Sequence, residues 1–197
     1  MTWIAPLSMV AGAAFGSIPF GYIAGRMRGI DIRRLGSGNI GSTNVQRTMG
    51  WAWALPVLLL DVVKGLLPTA LARPIGLTPP LVGLGAVLGH VFCPWLRFRG
   101  GKGVATTIGV TAFLCPRSLL AGLAVYLAVL AATGFVSLAS LGFACLLPVL
   151  TALLYPRGPL LLASTLGVAA VIIVRHRGNI RRLLRGEENR FGKRSES

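Results

Sequence analysis

Three segments of this chain gather side chains able to hold a phosphate. From Gly36 to Arg47 the sequence reads GSGNIGSTNVQR. Glycines such as Gly38 and Gly41 let backbone amides approach a ligand closely, Ser37, Asn39, Ser42, Thr43 and Asn44 offer small polar groups, and Arg47 offers a bidentate fork. That inventory suits a phosphate or a carboxylate. Ser42, Thr43 and Asn44 are also good N-caps, so a helix starting here aims its amides and dipole at an anion. The same letters serve equally well as an ordinary turn before a capped span.

The second segment is RFRGGKGVATT, from Arg97 to Thr107. Gly100, Gly101 and Gly103 surround Lys102, which predicts an anion-binding nest with a point charge at its centre, again at a helix start. It departs from the Walker A pattern, which needs serine or threonine after the lysine where this chain has Gly103. The third segment, RHRGNIRRLLRGEE from Arg175 to Glu188, predicts an amphipathic interfacial helix. His176, Ile180, Leu183 and Leu184 would share one face, with Asn179 at its edge. A basic anchor on anionic lipid explains the arginines of this stretch but not His176 or Asn179.

Two smaller features complete the set. Asp61 and Lys64, three residues apart inside an apolar run, are costly intramembrane charges that read as a self-neutralising structural brace. Gly134 to Ser140, GFVSLAS, carries Ser137 and Ser140 and alone says nothing. The remaining carboxylates are Asp31 and the tail residues Glu187, Glu188 and Glu196, which are too scattered for a magnesium, calcium or two-metal site. His90 and His176 lack HExxH spacing, no Cys/His set suits zinc, and neither histidine begins an HxxxxD signature. No metal and no cofactor is expected. Cys93, Cys115 and Cys145 lie in or beside apolar segments and read as small apolar side chains.

The elements that must position these segments are membrane helices. Hydrophobic residues make up 54% of the chain and charged residues 13%, and the mean hydropathy is +0.72, far from the roughly one-quarter charged usage of soluble domains. Apolar runs extend over Trp3–Gly25, Trp51–Ala72, Ile75–Leu96, Val104–Leu114, Leu119–Thr133, Leu138–Leu154 and Leu160–Val174. They predict an all-α integral membrane protein, a compact bundle of about seven transmembrane helices, some of them short or broken. Val104–Leu114 is too short to cross about 30 Å of hydrocarbon alone, so a five-span count is the alternative. The first cation is Arg26, after the first run, so that run reads as a retained span rather than a cleaved signal.

Charge sets the orientation. Sixteen of the twenty Lys and Arg residues fall on alternate loops, around Arg26 to Arg47, Arg97 to Lys102 and Arg175 to Arg194. The opposite loops hold only Arg73, Arg117 and Arg157, and Lys64 stays within a run. By the positive-inside rule the N-terminus lies outside and the C-terminus is cytoplasmic. A single domain over 1–197 is expected, with a basic cytoplasmic amphipathic segment over 175–197. The net charge of +15 follows this flanking pattern rather than a soluble basic face, which argues against nucleic acid as a partner.

Taken together, GSGNIGSTNVQR, LDVVKG at Leu60 to Gly65, FRGGKGVAT and RHRGNIRRLLRGEE closely resemble the bacterial acyl-phosphate:glycerol-3-phosphate acyltransferase family, PlsY, from about Gly16 to Phe191. Ser42 stands where that family usually has alanine, Arg99 where it commonly has lysine, and Gly178 where a charged residue is frequent. The resemblance implies a multi-pass enzyme of the bacterial cytoplasmic membrane with its site facing the cytoplasm. It implies acyl phosphate as donor, glycerol 3-phosphate as acceptor, and lysophosphatidic acid and inorganic phosphate as products. By motif match it assigns catalytic roles to Ser37, Arg47, Lys102, Ser140, His176 and Asn179. It places Gly38, Asn39, Gly41, Thr43, Asn44, Arg99, Gly100, Gly101 and Gly103 on the substrate and makes Glu188 structural, while Asp61 and Lys64 keep the structural reading their spacing gives.

Such a reaction needs cations and hydroxyls to neutralise two phosphate-bearing head groups. An acyl phosphate already carries a good leaving group, so direct attack by the glycerol hydroxyl is expected. Either His176 or the donor's own phosphate takes the proton, and the absence of an orienting carboxylate favours the phosphate. Transport of a small organic anion is disfavoured because the polar motifs collect on one face. A lipid-binding scaffold would leave the glycine-lysine loop unexplained.

Overall fold

In a bilayer every backbone N–H and C=O must be satisfied within the segment, which leaves the helix as the form open to these apolar runs. The computed structural model describes residues 3–191; the tail residues Lys193, Arg194 and Glu196 lie outside them. The elements in order are α1 (Ile4–Gly16), α2 (Phe20–Met27), α3 (Ser42–Met49), α4 (Trp51–Leu71), α5 (Pro79–Val91), α6 (Val104–Leu114), α7 (Pro116–Thr133), α8 (Val136–Leu154), α9 (Pro159–Arg175) and α10 (Arg177–Leu184). Single 3-10 turns at Ile32–Arg34 and Pro94–Leu96 precede the two glycine-bearing loops.

All seven runs are helical. Five stretches are long and apolar enough to cross a membrane: Ile4–Met27, Trp51–Leu71, Pro79–Leu96, Pro116–Thr133 and Val136–Leu154. Helices α9 and α10 form a further pair bent by 56°. Helix α6 has only 11 residues, about 16 Å of rise, and cannot span alone. The chain divides into two compact units, Met1–Leu114 and Cys115–Ser197.

In the first unit α1 and α5 meet by backbone-to-backbone approach rather than through large side chains. A Cβ on Gly12 or Gly16 of α1 would strike the backbone of α5 at Val82 or Ala86, and one on Gly85 or Gly89 of α5 would strike α1 at Met9 or Ala13. The two GxxxG pairs therefore face each other, as suits helices that gain little from hydrophobicity in lipid and associate by close packing. Gly65 and Gly109 bring α4 and α6 together in the same way.

In the second unit α8 packs against both α7 and α9. Gly122 of α7 lies over the ring of Phe143 on α8, and Phe143 is fully buried. Three hydroxyls inside these spans are satisfied locally: Ser140, Thr151 and Ser164 each donate to the carbonyl four residues earlier. Among the described residues, 185–191 after α10 do not run on as an amphipathic helix. They fold back, and the Phe191 N–H donates to Gly134 O at 2.7 Å, beneath the Arg190 guanidinium stacked 5.3 Å from the Phe135 ring.

Candidate active site

The loop from Gly36 to Arg47 is organised by one side chain, Asn44, which is 2% exposed. Its Oδ1 accepts the Ser37 N–H at 2.8 Å. Its Nδ2 reaches the carbonyls of Ile32, Leu35 and Asn39 at 3.2, 3.0 and 2.8 Å. Asn44, expected on the substrate, thus uses its amide to fold the loop. Asn39 does the same on a smaller scale, its Oδ1 accepting the Gly41 N–H at 2.9 Å. The N-cap expected among Ser42, Thr43 and Asn44 is instead Gly41, in extended conformation and with no side-chain cap. The first amides of α3 are left without a side-chain cap, the arrangement that favours an anion at a helix start. Ser37 and Gly38 stand exposed at the tip, while Thr43 and Arg47 are half-buried along α3.

Ahead of this loop Asp31 grips Arg33. The carboxylate accepts the Arg33 N–H at 3.1 Å and the guanidinium at 2.9 and 2.6 Å. The guanidinium in turn lies 4.8 Å from the Tyr22 ring. The hydrogen-bonded Arg33 side chain holds the Asp31 carboxyl down from 3.8 to about 2.

The Lys102 loop differs from the nest expected of its glycines. The Gly100 and Gly101 N–H groups donate to Val91 O and His90 O, at 3.0 and 3.1 Å. These amides tie the loop to the end of α5. The two glycines are required because a Cβ on Gly100 would fall on the His90 carbonyl, and one on Gly101 on the His90 ring. Gly103 has a φ of +91°, a conformation that L residues rarely adopt. Its carbonyl receives both the N–H and the hydroxyl of Thr107, at 2.8 Å each, starting α6. Lys102 is half-buried between them and Arg99 is exposed. Two non-glycine residues just before, Arg97 and Phe98, adopt positive φ of 53° and 61°.

Both loops rest on one apolar cluster. Ile40 and Val45 of the first loop and its helix pack with Cys93 and Leu96 ahead of the second, around Ile32, Ala54 and Val57. Below them the Asp61–Lys64 pair closes at 2.6 Å, as the spacing predicts, and its partners extend beyond the pair. Lys64 Nζ donates to Ile18 O at 2.7 Å, at the break between α1 and α2. His90 Nδ1 stands 3.7 Å from Asp61 Oδ1, too long for a hydrogen bond but within reach of its charge. Sequence spacing did not single out His90, and only a search for buried ionisable side chains would have found it.

In the second unit the residues of the third segment meet the seryl turn. Glu188 Oε1 accepts Asn179 Nδ2 at 2.7 Å and Ser137 Oγ at 3.0 Å, and its Oε2 accepts Arg182 Nε at 2.7 Å. Ser137 is thus a member of this cluster that its sequence context did not mark. His176 is 2% exposed and sits at the bend between α9 and α10. The expected face of α10 is corrected: Asn179 is buried at its centre, and Leu184 is 84% exposed. The inward face of α10 thus follows its hydrogen-bonding side chains rather than Leu184.

His176 Nδ1 lies 2.8 Å from Ile172 O. A carbonyl only accepts, so Nδ1 carries a hydrogen and, in the neutral ring, Nε2 is the acceptor. Ser140 Oγ donates to Val136 O at 2.7 Å, which leaves the oxygen's lone pairs to accept. Among the described residues no group of three His, Cys, Asp or Glu side chains is placed to hold a metal ion. The chemical inventory is cations and small polar groups in one unit, and an oriented imidazole beside a fixed amide in the other.

Comparison with known proteins points the same way. Residues 6–186 match the model of a family described as glycerol-3-phosphate acyltransferase. A relative of that name from Geobacter sulfurreducens is 48% identical, covering 89% of this chain and 92% of its own length. Another, glycerol-3-phosphate acyltransferase 1 of Deinococcus radiodurans, is 43% identical over 98% of each chain. The fold superposes with a TM-score of 0.89 and 37% identity on crystalline PlsY, an integral membrane glycerol 3-phosphate acyltransferase, in its glycerol 3-phosphate form, covering 95% of this chain and 96% of that one. Its lysophosphatidic acid form gives a TM-score of 0.86 and 35% identity, with 95% of each chain covered. A match over nearly the whole length, in sequence and in three dimensions, makes this chain a member of the glycerol-3-phosphate acyltransferase family, an integral membrane acyltransferase of the PlsY type.

Proposed function

We propose that this enzyme moves an acyl group from acyl phosphate to the sn-1 hydroxyl of glycerol 3-phosphate, giving lysophosphatidic acid and inorganic phosphate. The observation that carries this reading is the likeness to PlsY in two forms, one with glycerol 3-phosphate and one with lysophosphatidic acid. Those two molecules differ by one acyl ester. An acyl phosphate is a mixed anhydride with phosphate as its leaving group, so this donor arrives already activated.

The sn-1 oxygen attacks the acyl carbon, a C–O ester bond forms, and the bond from that carbon to the bridging phosphate oxygen breaks. The hydroxyl proton passes to the departing phosphate. Arg47 and Lys102 offset the phosphate charges, with Ser37 and the first amides of α3 as further donors. Glycines 38, 41, 100, 101 and 103 shape the two loops that carry these groups. His176, its Nδ1 held by a backbone carbonyl rather than a carboxylate, orients the hydroxyl through Nε2. Asn179 does the same from its place on Glu188, and Ser140, whose hydroxyl donates to Val136 O, offers its oxygen as an acceptor. Substrate assistance fits a geometry in which the His176 Nδ1 is held by the Ile172 carbonyl.

The cations on alternate loops support a multi-pass protein of the bacterial inner membrane with these residues on the cytoplasmic face. The test is to incubate the purified full chain in lipid with acyl phosphate and glycerol 3-phosphate. Equal amounts of lysophosphatidic acid and phosphate are expected, with no product from an acyl thioester. Turnover of the thioester at a comparable rate would overturn the donor assignment. Full activity of His176→Asn at neutral pH would remove that side chain from the mechanism.

A further inference from the structure

His90 lies outside the three segments with chemical character, yet the Lys102 loop is built on it. The side chain is 4% exposed. On one side its carbonyl takes the Gly101 N–H at 3.1 Å, and its ring fills the volume that a Cβ on Gly101 would need. On the other side Nδ1 faces Asp61 Oδ1 at 3.7 Å, and that same oxygen pairs with Lys64 Nζ at 2.6 Å. Lys64 is itself anchored on Ile18 O at 2.7 Å. A continuous line of contact therefore runs from the α1–α2 break through Lys64, Asp61 and His90 to Gly101, next to Lys102, all within the first unit.

We propose that His90 is a positioning residue for Lys102, its ring held by the Asp61–Lys64 pair and in turn fixing the height of the Gly100–Gly101 backbone. The inference rests on the assignment of Lys102 to a substrate phosphate. Burying an ion pair inside a span is costly in general, and a rigid support for the loop is what this pair would supply. A planar ring with two χ angles and a polar atom at each edge suits the place. One edge faces a carboxylate while the other packs edge-on against a Cα. The absent side chain at residue 101 is the counterpart of that ring, so the two positions should depend on each other.

The experiment uses the full chain in lipid and reads both hydrogen exchange and kinetics. His90→Ala is expected to speed amide exchange at Gly100 and Gly101 at least about tenfold, with exchange in α9 unchanged. It should also raise KM for the substrate that Lys102 holds by about tenfold or more, with a smaller change in kcat. His90→Gln, which reaches the same point, should recover most of both. Gly101→Ala, which collides with the ring, should lose about a hundredfold in kcat/KM, and His90→Ala added to it should restore at least about tenfold. The proposal is overturned if exchange at the loop is unchanged in His90→Ala, if exchange rises equally throughout the protein, or if the double variant is no more active than Gly101→Ala. Hydrogen exchange decides the question even if the wild-type protein fails to turn over acyl phosphate, so failure of the catalytic assignment and failure of this one are separable.

Discussion

At the scale of single residues, the groups of the candidate site divide into those that meet substrate and those that hold others still. Glu188 belongs to the second kind. One buried carboxylate receives Asn179, Ser137 and Arg182, joining α10 to the turn that opens α8. Charge-assisted hydrogen bonds contribute about 1.5–3 kcal/mol each, and Arg182 is partly exposed, so its share is screened. Glu188→Gln keeps the shape and removes the charge. It is expected to cost about 2 kcal/mol, or about 4–8 °C in thermal midpoint for a chain of this size. Activity should fall with it, because a neutral amide oxygen holds Asn179 less strongly than the carboxylate does. An unchanged midpoint in detergent would show that the cluster does not bear on stability. Asp31 gives a pH signature of the opposite simplicity. Arg33 holds its carboxyl at about 2 instead of 3.8, so the stabilisation of the Ile32–Arg34 turn is complete above the ordinary carboxylate range and is lost as pH falls through about 2. Between pH 5 and 9 Asp31 stays ionised, and Asp31→Asn should leave the shape of the pH–rate profile unaltered across that range. A new inflection there would contradict the pairing.

At the scale of elements, all seven apolar runs are helical, as hydropathy alone leads one to expect, although the first is broken into α1 and α2. The chemistry was legible as residue types but not as roles. Asn44 and the Gly100–Gly101 pair carry polar or amide groups suited to an anion, and the folded chain uses those groups internally. Composition cannot distinguish a loop that binds from a loop that binds itself. The inward face of α10 was misjudged for a related reason: in a membrane protein apolar residues also face outward, so the leucine stripe does not mark the buried side. Glycine shows the same ambiguity, and packing resolves it. Gly85 in α5 lies against the Met9 carbonyl of α1, whereas Gly142 in α8 has open space where a Cβ would go. Gly85→Ala should therefore be destabilising by about 1–3 kcal/mol through overpacking. Gly142→Ala should be stabilising by roughly 0.5–1 kcal/mol through helix propensity. Thermal unfolding of the two single variants, read side by side, checks the opposite signs. Two shifts in the same direction would mean that the α1–α5 seam tolerates separation.

At the scale of the whole molecule, orientation in the membrane decides which pool of substrate the cationic loops can meet. Helix α9 is the critical crossing. It has 17 residues, about 25 Å of rise, just short of the hydrocarbon thickness. With α10 bent from it by 56°, the pair reads either as one short crossing that ends at the surface or as a re-entrant hairpin. The charge pattern favours the crossing: Arg157 stands alone before α9, while Arg175, Arg177, Arg181, Arg182 and Arg185 crowd after it. A hairpin would return that cluster to the sparsely charged side, against the positive-inside bias. The distinction is measurable with single cysteines on exposed sites, Arg157→Cys and Arg185→Cys, in a Cys145→Ser background, since Cys93 and Cys115 are buried. In right-side-out vesicles an impermeant thiol reagent should label position 157 and spare 185, and in inverted vesicles the pattern should reverse. Labelling of both from one side would make α9 and α10 re-entrant. His176 and Asn179 would then face the outside, away from any cytoplasmic store of glycerol 3-phosphate, and the proposed reaction could not use them.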